Sequence, residues 1–286
     1  MDEELQRHAR SFGPVADAYD RGRPSYPADA VAWLVGRQRA TVLELGAGTG
    51  KLTAQLVALG HDVHATDPDD AMLDILRQRV PRARASTTSA EEIPLGDRSV
   101  DVVVAAQAFH WFDYDRALPE IARVLRPGGH LALVWNQRDE RIPWVRKLGR
   151  IIGTQEQPID WQSDPAEVLV TSTLFGFVEQ QDFKSWQDVN RQTILDLVRS
   201  RSNVAVLDEE ARARKLAEVL AFYDDYGRGM DGMQLPYVVS CHKAVVVDKL
   251  DTEPPADEEQ TGTSEGIVIG TANDGTDTEM LLIDFR

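Results

Sequence analysis

Val42-Leu43-Glu44-Leu45-Gly46-Ala47-Gly48-Thr49-Gly50-Lys51 is an apolar run that ends in three glycines at alternate positions. The run reads as a buried strand over 41–45, and the glycines as a turn that opens a helix. Glycines there let a ligand approach the backbone, and a helix start presents free N–H groups. Asp67 stands 21 residues after Gly46, at the end of the next apolar stretch. In doubly wound folds, a carboxylate at that spacing meets ribose hydroxyls. Together the two features predict a ligand with an adenosine-like ribose, bound at the carboxyl ends of parallel strands.

Working outward, the same alternation continues on both sides. Upstream, a helical opening runs into Arg23-Pro24-Ser25-Tyr26-Pro27, where two prolines break it. Pro27 can then start a helix through Val31, Leu34 and Val35. Downstream come a helix over 52–59 closed by Gly60, a strand over 63–66, a helix over 70–80 and a weaker strand over 83–87. A strong strand over 100–106 follows, then a helix carrying Leu118, Ile121, Ala122 and Leu125. It ends before Pro127-Gly128-Gly129, and a strand over 130–135 comes next. This rhythm predicts an α/β fold with a mostly parallel sheet and helices on both faces.

Past Asn136 the rhythm changes. A helix is expected over 142–153, a strand over 177–183, two amphipathic helices over about 187–200 and 208–226, and a last strand over 235–247. No internal repeat is visible. Residues 249–265 have the composition of a disordered linker. The apolar pieces at 266–270 and 280–285 could pair as a hairpin around Asn273-Asp274-Gly275. The domain expectation is therefore a catalytic domain over 1–248 and an acidic, flexible extension over 249–286.

The composition is that of a globular protein: 286 residues, 42% hydrophobic and 27% charged. No run of 18 apolar residues is present, so no membrane span is expected. The first ten residues lack the basic-then-apolar pattern of a signal peptide, so a cytoplasmic address is the expectation. Cys241 is the single cysteine, which rules out an internal disulfide and a cysteine-built zinc site. His61 and His64 lie across a strand start and make no metal pattern, so no metal is expected. The net charge of −16 argues against a nucleic-acid partner. Over half of it lies in residues 250–286, where ten acids face one basic residue, Arg286. A small-molecule substrate and a monomer or homodimer are the remaining partner expectations.

Two nucleotide readings compete at the glycine turn. A dinucleotide site prefers G-x-G-x-x-G, whereas the glycines here fall at 46, 48 and 50. Glu44 just before the turn would repel a pyrophosphate, but it suits a ligand that carries an ammonium and a sulfonium. A phosphate-binding loop of the Walker type is excluded, because positions 45 and 52 are both leucine. An NAD-type oxidoreductase and a non-catalytic cofactor-binding regulator remain as alternatives.

Glu44-Leu-Gly-Ala-Gly-Thr-Gly50 resembles motif I of the class I S-adenosylmethionine (SAM)-dependent methyltransferases. The resemblance extends over about residues 12–246. It includes Asp67, the segment Ser89-Ala-Glu-Glu-Ile-Pro94, the strand ending at His110-Trp111 and the turn Arg126-Pro-Gly-Gly-His130. The opening Phe12–Asp20 with Arg23–Pro27 is similar to the small-molecule branch related to trans-aconitate methyltransferases and the type 11 methyltransferases. The resemblance implies a Rossmann-like seven-stranded sheet with an antiparallel last strand. It also implies a helical lid from about 1–27 and 187–226, and SAM as cofactor.

Carried over by position, Glu44, Gly46, Gly48 and Gly50 would bind the methionine end of the cofactor. Asp67 would take its ribose, while Met72, Ser89 and Ala90 would border its adenine. Gln107 would approach the methionine portion. Thr88-Ser89 departs from the glycine or aspartate common near that turn in relatives. The acceptor must be aligned with the transferred methyl group and shielded from water. His110 is the candidate base for a neutral hydroxyl or amine acceptor. Arg23 and Arg201 are the candidate partners of a carboxylate. Tyr19 and Tyr26 are candidates for shaping the lid, and Trp111 for a wall.

Overall fold

The computed structural model describes residues 22–153, 167–226 and 233–247. Tyr19, the lid segment before residue 22 and the extension 249–286 lie outside the described residues. In chain order the elements are α1 (Ala28–Val35), β1 (Thr41–Leu45), α2 (Lys51–Ala58), β2 (Asp62–Asp67), α3 (Asp70–Arg79), β3 (Arg84–Thr87) and β4 (Val100–Ala106). Then come a short 3-10 turn (Phe109–Trp111), α4 (Tyr114–Val124), β5 (Leu125–Arg138), α5 (Pro143–Ile152) and α6 (Glu167–Thr171). The rest is β6 (Phe175–Val189), α7 (Arg191–Arg199), α8 (Ser202–Ala205), α9 (Glu209–Tyr226) and β7 (Met233–Val246).

The seven strands form one sheet in the order β3-β2-β1-β4-β5-β7-β6. The pairs from β3 to β5 are parallel. The last strand, β7, runs antiparallel to both neighbours, β5 and β6. The fold is therefore Rossmann-like, with β1 and β4 flanking the point where strand order reverses. In such sheets the crevice beyond the carboxyl ends at that point is where ligands bind.

Alternation along the strands builds two cores. Leu43, Leu45, Val103, Ala105, Leu131 and Leu133 pack with Ala117, Leu118, Ile121 and Val124 of α4. The intervening residues Val42, Val102, Val104, Ala132 and Val134 pack with Val31 and Leu34 of α1 and with Leu52 and Leu56 of α2. Two-sided burial explains why these central strands read as nearly unbroken apolar runs. A separate cluster joins Val145, Leu148 and Ile152 of α5 to Ile194, Leu197, Val219 and Phe222 of α7 and α9.

Three expectations need correction. β6 runs to Val189, so residues 187–189 are strand rather than the start of a helix. The helix begins only after Asn190, whose side chain accepts from the amides of Gln192 and Thr193, both at 2.9 Å. β5 also starts earlier than residue 130: Leu125 pairs with Val100, and the chain bulges through 126–129 before His130 pairs with Val102. Tyr26 is not a lid residue; it is buried in the core beside Ala30 and Val31.

Candidate functional site

The glycine turn sits directly beyond β1. Gly46, Gly48 and Gly50 all have positive φ, at 69°, 55° and 83°. At Gly46 a second constraint applies, because a Cβ there would lie 2.4 Å from the Cβ of Ala108. The turn therefore packs tightly against the segment that follows β4. A Cβ on Gly48 would meet no atom within 4 Å, so that side of the turn is open to a ligand.

Asp67 closes β2 and holds two loops at once. One carboxylate oxygen accepts from the amide of Gly48 at 2.8 Å, and the other from the amide of Asp69 at 2.9 Å. Burial pushes its pKa up to about 6, against the lowering effect of those two amides. Thr88 donates its amide to the Asp67 carbonyl at 3.2 Å, which brings the Ser89 segment beside the carboxylate. Ala90 packs into the core with Ile93, and the Ser89 carbonyl accepts from the Glu92 amide. Met72 is 4% exposed, yet it belongs to none of the apolar clusters among the described residues.

Glu44 is 1% exposed, and its Oε2 accepts from Thr53 Oγ1 at 2.6 Å. Burial pushes its pKa up to about 8, the Thr53 bond opposes the shift, and the charge of Asp67 adds to it. The free protein therefore holds a neutral carboxyl here near pH 7, where the motif suggests a carboxylate.

Gln107 follows β4 with φ 59°, an unfavourable conformation for a residue with a side chain. Its amide donates to the Val134 carbonyl at 2.9 Å, and its Nε2 donates to the Asn136 carbonyl at 3.2 Å. These bonds hold the strained residue across the ends of β4 and β5.

His110 lies in the turn beyond Gln107, its ring 4.8 Å from that of Trp111. Trp135 Nε1 donates to His110 Nδ1 at 3.5 Å, the outer limit of a hydrogen bond. In the neutral ring that bond leaves the proton on Nε2, so Nε2 is a donor. Burial first, and the nearby charge of Arg23 second, lower the His110 pKa to about 4. The ring is thus neutral at physiological pH and weakly basic.

Arg23 donates from Nε and Nη2 to the Oγ and carbonyl of Ser200, both at 3.1 Å. Arg201 is the next residue, so folding brings the two predicted arginines together. The same region holds groups that no motif marked: Arg138 at the end of β5 and its cross-strand partner Tyr237 on β7. Among the described residues no cluster of three or more metal-binding side chains occurs.

A family model described as a methyltransferase domain matches residues 43–133. An uncharacterized methyltransferase of Mycobacterium tuberculosis is 46% identical over 239 residues, covering 82% of this chain and 96% of that protein. A solved structure from Anaeromyxobacter dehalogenans, provisionally assigned as a type II methyltransferase, has a TM-score of 0.56 at 26% identity and covers 78% of this chain and 96% of that one. Phosphoethanolamine N-methyltransferase 2 of Haemonchus contortus, solved with S-adenosyl-L-methionine, shares the fold at a TM-score of 0.50 and 17% identity, covering 83% of this chain and 59% of that one.

Proposed function

The chain belongs to the class I SAM-dependent methyltransferases, and from that premise we propose that it methylates a small-molecule acceptor by in-line displacement. Membership sets aside the NAD-type and non-catalytic readings. The observation that carries the site assignment is the open, positive-φ turn at Gly46–Gly50 tied to the buried carboxylate of Asp67. The donor set fits the cofactor: turn amides and Glu44 for its methionine end, Asp67 for its ribose, and Met72, Ser89 and Ala90 for its adenine. The cofactor supplies a methyl group made electrophilic by a sulfonium.

The remaining tasks fall to this chain's own residues. Gln107 and Asn136 shape the wall at the ends of β4 and β5. His110 offers a hydrogen bond from Nε2 to the acceptor, a role that suits its neutral, weakly basic ring better than proton removal. Arg23 and Arg201 hold a negatively charged acceptor. The helices α7 and α9, with the segment around Arg23, exclude water from the reacting atoms.

The test is incubation of the full chain with methyl-labelled SAM and a metabolite extract, followed by separation of labelled products. A labelled small molecule is expected. Label found only on macromolecules, or on nothing while SAM still binds, overturns the proposal.

A further inference from the structure

The two edges of the sheet are finished differently. β3, at one edge, is four residues long and starts at Arg84. A short, charged strand is a common protection of an edge against further pairing. β6, at the other edge, is a 15-residue strand without proline. It bulges between Phe175 and Val178, and from Val178 to Val189 it pairs with β7 without a break. Among the described residues, β7 is the only strand that β6 meets through backbone hydrogen bonds. The outer side of β6 therefore presents a row of unpaired N–H and C=O groups. Trp186 is exposed along the same strand.

Such an edge is a template for another strand, and the side chains of β6 are complementary to those of its own copy. When two copies pair antiparallel about a two-fold axis, one residue lies opposite itself, and residues opposite each other share a face. Centring on Asp182 sets two carboxylates opposite each other, and centring on Lys184 sets two ammonium groups opposite each other, both destabilising. Centring on Gln181 leaves Asp182 opposite Gln180 and Lys184 opposite Val178, with no charge matched. Centring on Phe183 sets Asp182 of each copy opposite Lys184 of the other, so two attractive pairs form at once. Both side chains are exposed, and neither is in an ion pair among the described residues. Asp139 and Arg141, whose charges interact with theirs, are paired with each other at 2.7 Å. In this register Phe183 also meets its own copy, and each Phe183 already lies edge-on to Trp33, with ring centroids 6.5 Å apart. Trp186 falls opposite Gln180 and diagonal to Val178, within reach of an aromatic ring.

We infer that the outer edge of β6 binds a second copy of this chain: the two β6 strands pair antiparallel, centred on Phe183, and join two seven-stranded sheets into one. Of the registers centred on 181–184, this one alone matches opposite charges and opposes no like charges. Burial of Phe183, Trp33 and Trp186 drives the association, and the Asp182–Lys184 pairs select the register. The inference concerns assembly and does not depend on which acceptor is methylated.

Sedimentation equilibrium of the full chain from about 1 to 100 µM, the affinity range of a modest interface, is the test. A reversible monomer–dimer equilibrium is expected. Asp182→Lys and Lys184→Asp each replace two attractive pairs with two repulsive ones and should weaken the dimer by about tenfold or more. The two swaps change the net charge in opposite directions, so a general effect of charge would not weaken both. The double variant Asp182→Lys/Lys184→Asp restores opposite charges and should return to within about threefold of the parent. Arg82→Asp, an exposed position beside β3 at the far edge, makes the same charge change as Lys184→Asp and should leave association unchanged. The replaced side chains are all exposed, and thermal unfolding checks that each variant is folded. A parent that stays monomeric throughout leaves the edge to another occupant and overturns the inference. So does a dimer indifferent to both swaps, or a folded double variant as weak as the single ones.

Discussion

The amide of Gly48 donates to the carboxylate of Asp67 at 2.8 Å, so the acid proposed to meet the ribose also shapes the turn proposed to cradle the cofactor. The other Asp67 oxygen holds the Asp69 amide at the start of α3. Asp67→Ala therefore removes two loop restraints together with the proposed ligand contact. SAM affinity should fall by about 1.5–3 kcal/mol, the range for hydrogen bonds to a charged group. The melting temperature of the free protein should fall as well. Asp67→Asn keeps one acceptor oxygen and should lie between the parent and the alanine variant on both counts. Calorimetry and thermal unfolding measure the two effects, and unchanged SAM affinity in a folded Asp67→Ala protein removes Asp67 from the site.

Glu44 makes stability and cofactor binding respond to pH in opposite ways. Its carboxyl is raised from 4.5 to about 8 in the folded protein, so the folded state holds the proton more tightly than the unfolded chain does. Its contribution is fully present below about pH 4.5 and is lost as pH rises toward 8, by an amount on the order of a few kcal/mol. Glu44→Gln should flatten that slope and stabilise the free protein at pH 8. His110 titrates in both proteins, so the difference between the two curves reports Glu44 together with its coupling to the charge of Asp67. A cation bound beside Glu44 favours its ionised form, so SAM binding at pH 7 should release a proton, and affinity should rise with pH below 8. Calorimetry in buffers of different ionisation enthalpy detects that release. Equal proton release by parent and Glu44→Gln would place the cation elsewhere.

The glycines of the turn differ in what they tolerate. Gly48→Ala faces no collision, and its cost is the positive φ, about 1–2 kcal/mol. Gly46→Ala carries the same conformational strain and also drives a methyl group to 2.4 Å from the Ala108 Cβ. It should lose distinctly more stability and should displace Gln107, the neighbour of Ala108. Denaturant unfolding of both variants is the measurement. Equal losses would show that the turn does not press on the segment after β4.

The parts legible in the sequence were those that depend on near neighbours in the chain. β4 was readable because burial on both faces makes Val102–Ala106 a continuous apolar run, with Val100 and one charged residue, Asp101, at its start. The glycine turn and Asp67 were readable because strand, turn and helix follow one another directly. β6 was readable only in part: the strand expected over 177–183 lies within it, but its exposed, largely polar continuation to Asp188 is a strand because its backbone pairs with β7. The neighbourhood of Arg138 was hidden for the same kind of reason. Nothing near Arg138 in the sequence marks it; only the β5–β7 register sets it against Tyr237. The neutral state of Glu44 was also beyond reach, because it depends on how deeply the residue is buried.

His110 separates two ways of helping the acceptor. The bond from Trp135 leaves its ring proton on Nε2, and its pKa of about 4 makes it a poor base. The lowered value means that the ring is neutral throughout pH 5–8, so it should add no limb to the rate profile near the ordinary histidine value of 6.5. Glutamine can replace a neutral donor but cannot replace a base. With a substrate from the labelled-SAM screen, the single-turnover rate of His110→Gln should stay within about tenfold of the parent, while His110→Ala should fall further. A general base would instead cost about 10²–10⁴-fold in both variants. Trp135→Phe removes the indole N–H and frees Nδ1 to carry the ring proton, so it should slow transfer without weakening SAM binding. Should His110→Gln lose as much rate as His110→Ala, with SAM affinity intact in each, the imidazole itself takes part in moving the proton and the donor assignment fails.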